Sequence, residues 1–229
     1  MAGGLGERLR PFTQIIPKPL LPVGNKSVLE IQILNLKAHG VAHIYLALGY
    51  KQDLFEAYFG DGSKWGVTMH YSAEEKPLGT AGPLTLLRQF LDEPFLVMNG
   101  DILTNLNYAQ LRNAHLESGA AVTVVTKVIF LPLQYGVVKH QDDRVLDIEE
   151  KPSLSAEINA GIYFMNPEVI DLMPFGAAYS MDDLLRKMIA ENHPVGRFPL
   201  TDYWLDIGQM ADYEKANNLM SANGLTEKD

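Results

Sequence analysis

Residues 27–48, SVLEIQILNLKAHGVAHIYLAL, predict a helix that leads directly into a buried strand. Ser27 and Glu30 have the spacing of a capping box, which satisfies backbone N–H groups at the start of a helix. Gly40 is a typical residue just beyond a helix end. Residues 43–48 are mostly apolar, which is the pattern expected of a strand with both faces covered. The capping box is followed by the apolar positions Ile31, Leu34 and Leu36 of the predicted helix.

The same alternation continues along the rest of the chain. Further helices are predicted over 51–59, 79–91, 107–118 and 209–222. Another helix is predicted to begin at Ser180, with Asp183 in its first turn. Further strands are predicted over 66–71, 95–98 and 122–129, and then over 135–139, 144–149 and 159–165. Helices alternate with strands first and a more antiparallel region follows, which indicates an α/β sandwich with a mostly parallel, mixed sheet. In such sheets ligands bind beyond the carboxyl ends of the strands.

Composition narrows the classes of protein to consider. The chain has 229 residues, of which 47% are hydrophobic and 21% charged, as is ordinary for a soluble globular protein. No apolar run approaches the roughly 20 residues of a membrane-spanning helix, so no membrane partner is expected. The chain has no cysteine, which excludes disulfides and thiolate metal sites and fits a cytoplasmic location. A net charge of −9 argues against a nucleic-acid partner.

The opening residues 1–10, MAGGLGERLR, carry the strongest chemical signal. Closely spaced glycines allow a backbone to approach a ligand and to point N–H groups at phosphate oxygens. Arg8 and Arg10 add cations that suit phosphates. A flexible terminus is the alternative explanation for such a stretch. The pattern is not that of Walker A, and Leu9 stands where a dinucleotide fingerprint has its third glycine.

A second motif, Pro17-Lys18-Pro19, follows closely. The flanking prolines restrict the backbone and would hold Lys18 at a fixed place. A lysine between prolines is by itself a common surface turn. Beside a phosphate loop, it becomes a candidate second cation.

Together, GGLGERL over 3–9 and PKPLLPVG over 17–24 resemble the signature of the sugar-1-phosphate nucleotidyltransferase family. Six further segments are similar to family motifs in the family's order: 75–82, 99–101, 135–137, 149–152, 159–161 and 204–208. The resemblance implies a Rossmann-like three-layer sandwich of the nucleotide-diphospho-sugar transferase type. It also implies a reaction between a nucleoside triphosphate and a sugar 1-phosphate that releases pyrophosphate.

The resemblance assigns roles residue by residue. The catalytic residues it implies are Arg8, Lys18 and Asp101. The nucleotide-binding residues it implies are Ala2, Gly3, Gly4, Gly6, Glu75, Pro77, Gly79, Thr80 and Gly100. The sugar-phosphate-binding residues it implies are Gly136, Glu150, Lys151 and Asn159. The resemblance implies that Mg²⁺ binds to the carboxylates of Asp101 and Asp206. Mg²⁺ is typically held by a few carboxylates together with phosphate oxygens.

Each assignment has a plainer alternative. An aspartate after a strand is more often a turn or helix cap than a metal ligand. Lys151 could be solvated surface, and Asn159 could satisfy the end of a strand.

Residues 75–84, EKPLGTAGPL, are most similar to the guanylyltransferases that make GDP-mannose. The segments 125–127, 135–137 and 158–162 support that subgroup, and Ile102 follows the metal aspartate where the thymidylyl branch has asparagine. The alternatives are a thymidylyl- or uridylyltransferase acting on glucose 1-phosphate and a non-catalytic subunit that senses nucleotide sugars. A glycosyltransferase would be expected to have an Asp-x-Asp pair around Asp101, and the sequence has none there.

We interpret residues 1–229 as a single nucleotidyltransferase domain with a frayed tail over 220–229. Members of the family begin with a short hydrophobic strand directly before the glycine loop. Because Met1 already lies inside this motif, we expect that first strand to be missing from the sheet. A homodimer or larger homo-oligomer is consistent with the family.

Overall fold

A computed structural model describes residues 1–4 and 6–222 of the chain. The α-helices are α1 (Phe12–Ile15), α2 (Val28–Ala38), α3 (Gln52–Phe59), α4 (Tyr108–Ser118), α5 (Met181–Ala190) and α6 (Met210–Ala222). The strands of the first half are β1 (Pro22–Val23), β2 (Lys26–Ser27), β3 (His43–Leu48), β4 (Thr68–Ala73), β5 (Phe95–Met98) and β6 (Ile102–Thr104). Those of the second half are β7 (Val122–Pro132), β8 (Val137–Gln141), β9 (Arg144–Glu149), β10 (Ser153–Met165), β11 (Val195–Pro199) and β12 (Trp204–Asp206). Shorter 3₁₀ helices lie at Glu7–Leu9, Lys18–Leu20, Ser63–Trp65, Gly82–Phe90 and Pro167–Leu172.

The predicted capping residues start their helices. The Ser27 hydroxyl accepts a hydrogen bond from Glu30 N at 3.1 Å at the start of α2. The Ser180 hydroxyl accepts one from Asp183 N at 3.0 Å at the start of α5. A cap of this kind stabilises a helix by about 1 kcal/mol. The buried side of α2 differs from the predicted apolar positions, because Leu29 and Ile33 are buried whereas Ile31 and Leu34 are only half-buried.

The main sheet has the strand order β11-β7-β10-β5. Strand β7 pairs parallel with β11 and antiparallel with β10, and β10 pairs antiparallel with β5. A separate ladder joins β3 and β4 in parallel, from His43 opposite Thr68 to Leu48 opposite Ala73. The α/β class with a mixed central sheet is therefore confirmed.

Alternate residues of β10 show how the sheet is covered on both faces. Tyr163 and Met165 pack in a buried cluster with Leu184 of α5. Ile162 and Phe164 point to the other face and pack in a cluster with Leu111 of α4. Because successive strand residues face opposite sides, the two clusters lie on opposite faces of the sheet. This arrangement confirms the three-layer sandwich.

Several predicted elements have different bounds. The helix predicted over 79–91 is the 3₁₀ helix Gly82–Phe90, and the N–H groups of Ala81 and Gly82 at its start both donate to Tyr179 O, at 3.0 and 3.1 Å. The strand predicted over 66–71 begins at Thr68 after a left-handed turn at Gly66, with φ 70°. The strand predicted over 159–165 begins already at Ser153.

Five short strands of two to five residues were not predicted: β1, β2, β6, β11 and β12. Helix α6 continues to Ala222, and residues 223–229 of the predicted tail lie outside the described residues. In the described part of the chain, every helix is too short or too polar to cross a membrane.

The outer halves of β7 and β10, together with the antiparallel hairpin of β8 and β9, form an exposed arm. Phe130, Tyr135 and Ile148 lie on this arm with 69%, 81% and 62% of their surfaces exposed. Such high exposure of apolar side chains distinguishes the arm from the sandwich, where Ile162 and Met165 of β10 are fully buried.

Candidate active site

Lys18, Asp101 and Asp206 meet although they come from distant parts of the chain. Lys18 Nζ donates a hydrogen bond to Asp101 Oδ2 at 2.5 Å and lies 3.6 Å from Asp206 Oδ1. The Lys18 side chain is only 12% exposed, whereas that of Asp206 is 45% exposed. The cluster is therefore open to solvent on its carboxylate side and closed behind the lysine.

The pairing of β6 with β12 brings the two aspartates together. Asp206 ends β12 directly opposite Ile102, the residue that follows Asp101. The Ile207 N–H also donates to the Asp101 carbonyl at 3.0 Å. The short antiparallel pairing of β6 with β12 thus places the two carboxylates next to each other. The sequence analysis did not predict this pairing.

The prolines fix Lys18 as expected from the sequence. Lys18 begins a 3₁₀ helix whose next two residues, Pro19 and Leu20, are buried. The Leu20 N–H donates to Pro17 O at 2.8 Å, and the Leu21 N–H donates to Lys18 O at 3.1 Å. The lysine stem therefore leaves from an anchored turn.

Gln32 is a positioning residue that the sequence analysis missed. Its side chain is buried, and Nε2 donates to the carbonyls of Asn99 at 3.0 Å and Ile102 at 2.5 Å. These two carbonyls flank the turn that carries Asp101, so Gln32 holds both ends of that turn. The signal was a polar residue on the apolar side of a helix, between Leu29 and Ile33, since buried polar groups require partners.

The electrostatics of the cluster favour an additional positive charge. Burial raises the pKa of Asp206, and repulsion from Asp101 raises it further, while Lys18 partly opposes both effects. Asp101 Oδ1 and Asp206 Oδ1 are buried, and among the described residues neither has a hydrogen-bond partner. Two carboxylate oxygens without donors in one cluster are unfavourable unless a cation or donor satisfies them.

Asp101 and Asp206 fit a Mg²⁺ ion. Magnesium is held by one or two carboxylates and takes its other ligands from phosphate oxygens and water. Within residues 1–4 and 6–222, no group of three or more His, Cys, Asp or Glu side chains could hold a metal. The donor set thus matches a cation that arrives with a phosphorylated substrate, rather than a fully protein-bound zinc.

The glycines of the opening loop have different surroundings, so glycine is required at some of these positions for reasons of space and backbone conformation and not at others. Gly6 has φ 62°, and a Cβ there would lie 2.9 Å from Thr13 Cγ2. The Thr13 hydroxyl also donates to Gly6 O at 2.8 Å, which fixes the turn. A Cβ at Gly3 would lie 3.0 Å from Glu74 Oε1. Around Gly4, in contrast, no described atom beyond its own chain neighbours lies within 4 Å of such a Cβ, which leaves that side accessible to a ligand.

This difference predicts opposite effects of two alanine substitutions. Gly6→Ala should lower the free energy of unfolding by about 1–2 kcal/mol or more, since a left-handed φ and a close contact both oppose the new methyl group. Gly4→Ala should leave the unfolding temperature nearly unchanged but weaken nucleotide binding, because its methyl group would stand where the resemblance predicts the phosphate oxygens. Thermal unfolding and calorimetric titration with GTP measure the two effects. Equal losses of stability in both variants would contradict this interpretation of the loop.

Arg8 lies on the same side of the cluster as Asp206. It is exposed, whereas its neighbour Leu9 is fully buried and anchors the turn. A Cβ built at Gly208 would lie 3.9 Å from Arg8 Nη2 and 3.5 Å from one carboxylate oxygen each of Asp206 and Asp212. The predicted cation therefore lies near Gly208, the same residue that the carboxylate of Asp206 approaches.

The segment predicted to contact the base lies beside the glycine loop. Glu74 connects the two, since its Oε1 is close to Gly3 while its Oε2 accepts from Leu78 N at 2.7 Å. The Thr80 hydroxyl accepts a hydrogen bond from Met181 N at 2.8 Å and so satisfies a backbone N–H group in the first turn of α5. The predicted binding residues of this segment are all exposed: Glu75, Pro77, Gly79 and Thr80. Two other predicted nucleotide contacts lie next to each other, since a Cβ at Gly100 would be 3.3 Å from that of Ala2.

Three predicted sugar-phosphate residues lie on the exposed arm. Glu150 Oε1 and Lys151 Nζ are 3.8 Å apart, and both side chains are more than half exposed. The other carboxylate oxygen of Glu150 lies 3.3 Å from where a Cβ at Gly136 would stand. In the described structure no hydrogen bond or ion pair joins Glu150 or Lys151 to Lys18, so their role in binding stays a prediction.

Asn159 lies elsewhere, in an irregular part of β10. Its Oδ1 accepts from Gly161 N at 3.0 Å, and its Nδ2 donates to the Tyr163 hydroxyl at 2.7 Å. The Asn99 N–H donates to Gly161 O at 3.0 Å, which ties this bulge to the turn before Asp101. Asn159 thus has the structural role considered above as the alternative, since its side chain satisfies polar groups within the strand. Its contact with a sugar stays a prediction.

Comparison with known proteins identifies the family. The family model described as nucleotidyl transferase matches residues 1–223. The chain belongs to the nucleotidyl transferase family. This result confirms the resemblance that was based on the glycine loop, Lys18 and the later motifs.

Three relatives illustrate the range of this nucleotidyl transferase family. The chain is 37% identical to a UTP–glucose-1-phosphate uridylyltransferase of Synechocystis, over 94% of the chain and 61% of the relative. It is also 37% identical to a mannose-1-phosphate guanyltransferase of Yarrowia lipolytica, over 93% of the chain and 61% of the relative. The solved structure of HddC from Yersinia pseudotuberculosis in complex with GMP-PN has a TM-score of 0.77 and 27% identity, with 96% of both chains covered. The chain thus spans 61% of the length of the two curated relatives.

Proposed function

We propose that this protein transfers a nucleoside monophosphate from a nucleoside triphosphate to a sugar 1-phosphate, which yields a nucleoside diphosphate sugar and pyrophosphate. The observation that carries the proposal is the cluster of Lys18 with two aspartates, Asp101 and Asp206. Each aspartate has one buried carboxylate oxygen that accepts no hydrogen bond from the described residues. This cluster lies beside a glycine loop whose Gly4 is open to a ligand. The proposal includes Mg²⁺ as cofactor, a cytoplasmic location and a homo-oligomeric assembly.

In the proposed reaction, a phosphate oxygen of the sugar 1-phosphate attacks the α-phosphorus of the triphosphate. The new P–O bond forms as the bond to the β-phosphate oxygen breaks, and pyrophosphate leaves with those electrons. Both reactants are anions, so the barrier comes from repulsion and alignment, and no covalent enzyme intermediate is needed.

The chain's own residues address these two obstacles. Lys18 is held in place by its proline-flanked turn and would stabilise negative charge on the phosphates, and Arg8 would add a second cation from the open side. Backbone N–H groups at Gly3 and Gly4 would orient the triphosphate. Asp101 and Asp206 would hold Mg²⁺, which when bound neutralises phosphate charge and helps to align the reactants.

GTP and mannose 1-phosphate, or a related sugar phosphate, are the favoured substrates. Support comes from residues 75–84, from the Yarrowia lipolytica relative named for mannose 1-phosphate and from the HddC structure with GMP-PN. A uridylyltransferase acting on glucose 1-phosphate is the second candidate, because the Synechocystis relative of that name is equally identical at 37%.

The test is pyrophosphate release with Mg²⁺, measured for each of the common nucleoside triphosphates with a panel of sugar 1-phosphates. We expect turnover to be fastest with GTP and mannose 1-phosphate or a close analogue. Preference for UTP or dTTP with glucose 1-phosphate would overturn the assignment of base and sugar but preserve the reaction class. Nucleotide-sugar binding without pyrophosphate release from any pair would favour the non-catalytic sensor instead.

A further inference from the structure

The strand that carries Asp206 is not part of the main sheet. Strand β12 has three residues, and in the described part of the chain it pairs only with β6. A ladder this short forms few backbone hydrogen bonds, so other contacts are needed to fix β12 relative to the main sheet. Such contacts are found in the segment 200–204, which connects the end of β11 to β12.

The main sheet holds this connecting segment at both of its ends. At its start, the Leu200 N–H donates to Thr126 O at 2.8 Å. At its end, Trp204 Nε1 donates to Ala160 O at 2.9 Å. Residues 201–202 in the middle are exposed. Their position therefore depends on a contact other than burial.

Lys127 supplies that contact. Its Nζ donates to the carbonyl of Thr201 at 3.2 Å and to that of Asp202 at 2.6 Å. Among the described residues, these two carbonyls have no other hydrogen-bond partner. An ammonium group has three donors and a positive charge, so it can bind two neighbouring carbonyl oxygens that would otherwise repel each other.

The backbone of β7 gives Lys127 a fixed origin. The preceding residue, Thr126, lies opposite Asn159 of β10 and opposite Pro199 of β11. The next residue, Val128, is 49% exposed and belongs to the arm. Lys127 therefore stands where the arm leaves the sandwich, and its side chain reaches from the anchored part of the sheet to the segment before β12.

We infer that Lys127 is a positioning residue for Asp206. Its ammonium group fixes the residues that lead into β12, and β12 then places the Asp206 carboxylate beside Asp101. The inference rests on the proposed function, in which these two aspartates hold Mg²⁺. Gln32 holds the turn that carries Asp101, so each aspartate has its own support, one from α2 and one from β7. Loss of such an indirect support typically weakens metal binding by roughly 10–100-fold.

Mn²⁺ is the probe, because it prefers the same oxygen ligands as Mg²⁺ and because electron paramagnetic resonance measures its free concentration without any turnover. Lys127→Met retains the aliphatic stem and removes the charge. We expect this substitution to weaken Mn²⁺ binding by about ten-fold. Lys127→Arg keeps the charge and several donors, and it should retain most of the affinity.

The matched control is Arg197→Met, which removes a cation from the neighbouring strand β11. Arg197 pairs with Glu157 at 3.1 Å within the sheet, so its loss should leave Mn²⁺ binding unchanged. Hydrogen exchange adds a measurement that needs no metal. The Ile207 N–H, which donates to Asp101 O, should exchange about ten-fold faster in Lys127→Met and at the normal rate in Arg197→Met. Thermal unfolding confirms that each variant is folded.

The Asp206→Asn protein separates a positioning role from a general effect on the fold. Because Lys127 acts through Asp206, Lys127→Met should weaken Mn²⁺ binding no further once Asp206 has lost its charge. An equal loss in both backgrounds overturns the inference, as does unchanged Mn²⁺ affinity in a folded Lys127→Met protein. Absence of Mn²⁺ binding to the unaltered protein overturns it as well. The expected effects on Mn²⁺ binding, in a protein that releases no pyrophosphate from any substrate pair, would support the inference and overturn the proposed function.

Discussion

Lys18→Met is expected to reduce the rate of pyrophosphate release by about 10²–10³-fold or more, the range found when one preorganised donor is removed from an active site. Methionine retains an aliphatic stem against the buried turn but removes the charge that lies 2.5 Å from Asp101 and 3.6 Å from Asp206. The loss should appear mainly in kcat, because the lysine acts on charge that moves during the transfer.

The matched control is Lys64→Met, which changes an exposed lysine whose Nζ lies 4.8 Å from the centroid of the Trp65 ring. Its turnover should remain normal. Circular dichroism and thermal unfolding of both variants distinguish a chemical role of Lys18 from a loss of fold. Normal turnover of a well-folded Lys18→Met protein would show that Lys18 is not the catalytic cation.

Asp206→Asn should lower activity by about a hundred-fold or more, since a bound metal supplies several kcal/mol of charge stabilisation. The same substitution should increase the stability of the metal-free protein at neutral pH. The reason is that burial and repulsion from Asp101 raise the pKa of Asp206, so the ionised carboxylate is less favourable in the folded state than in the unfolded state.

The pH dependence of the stability gain tests the sign of this effect. A carboxyl with a raised pKa in the folded state costs nothing below its ordinary value of 3.8 and becomes costly as the pH rises through the folded-state value. The stability gain of Asp206→Asn should therefore vanish at acidic pH and appear as the pH increases. Urea unfolding with a chelator present measures it, and Asp202→Asn, an exposed neighbour, is the control. A gain that is equal at every pH would contradict this cause.

The sequence was a good guide where local chemistry determines structure. The capping residues Ser27 and Ser180 start their helices, and the prolines around Lys18 form the anchored turn that their restricted dihedral angles predict. Asp101 follows a short apolar strand as expected. In these cases the relevant contacts lie within a few residues, so the local pattern contains the necessary information.

Contacts between distant segments could not be predicted in this way. The three-residue strand β12 is too short for a periodic pattern, yet its pairing with β6 places Asp206 beside Asp101. Likewise, the start of the 3₁₀ helix at Gly82 is bound by the carbonyl of Tyr179, which lies almost 100 residues later in the chain. Gln32 acquires its role only because the turn before β6 happens to lie against α2.

The wide separation of the active-site residues along the chain has a consequence for biosynthesis. Lys18 and Asp101 are 83 residues apart, and Asp206 joins them only through the late strand β12. Contacts between segments this far apart form slowly, because a long loop must close first. During translation, the glycine loop and Lys18 leave the ribosome early, but the second carboxylate is made only near residue 206. A nascent chain therefore cannot complete the cluster of Lys18, Asp101 and Asp206 until β12 has been synthesised.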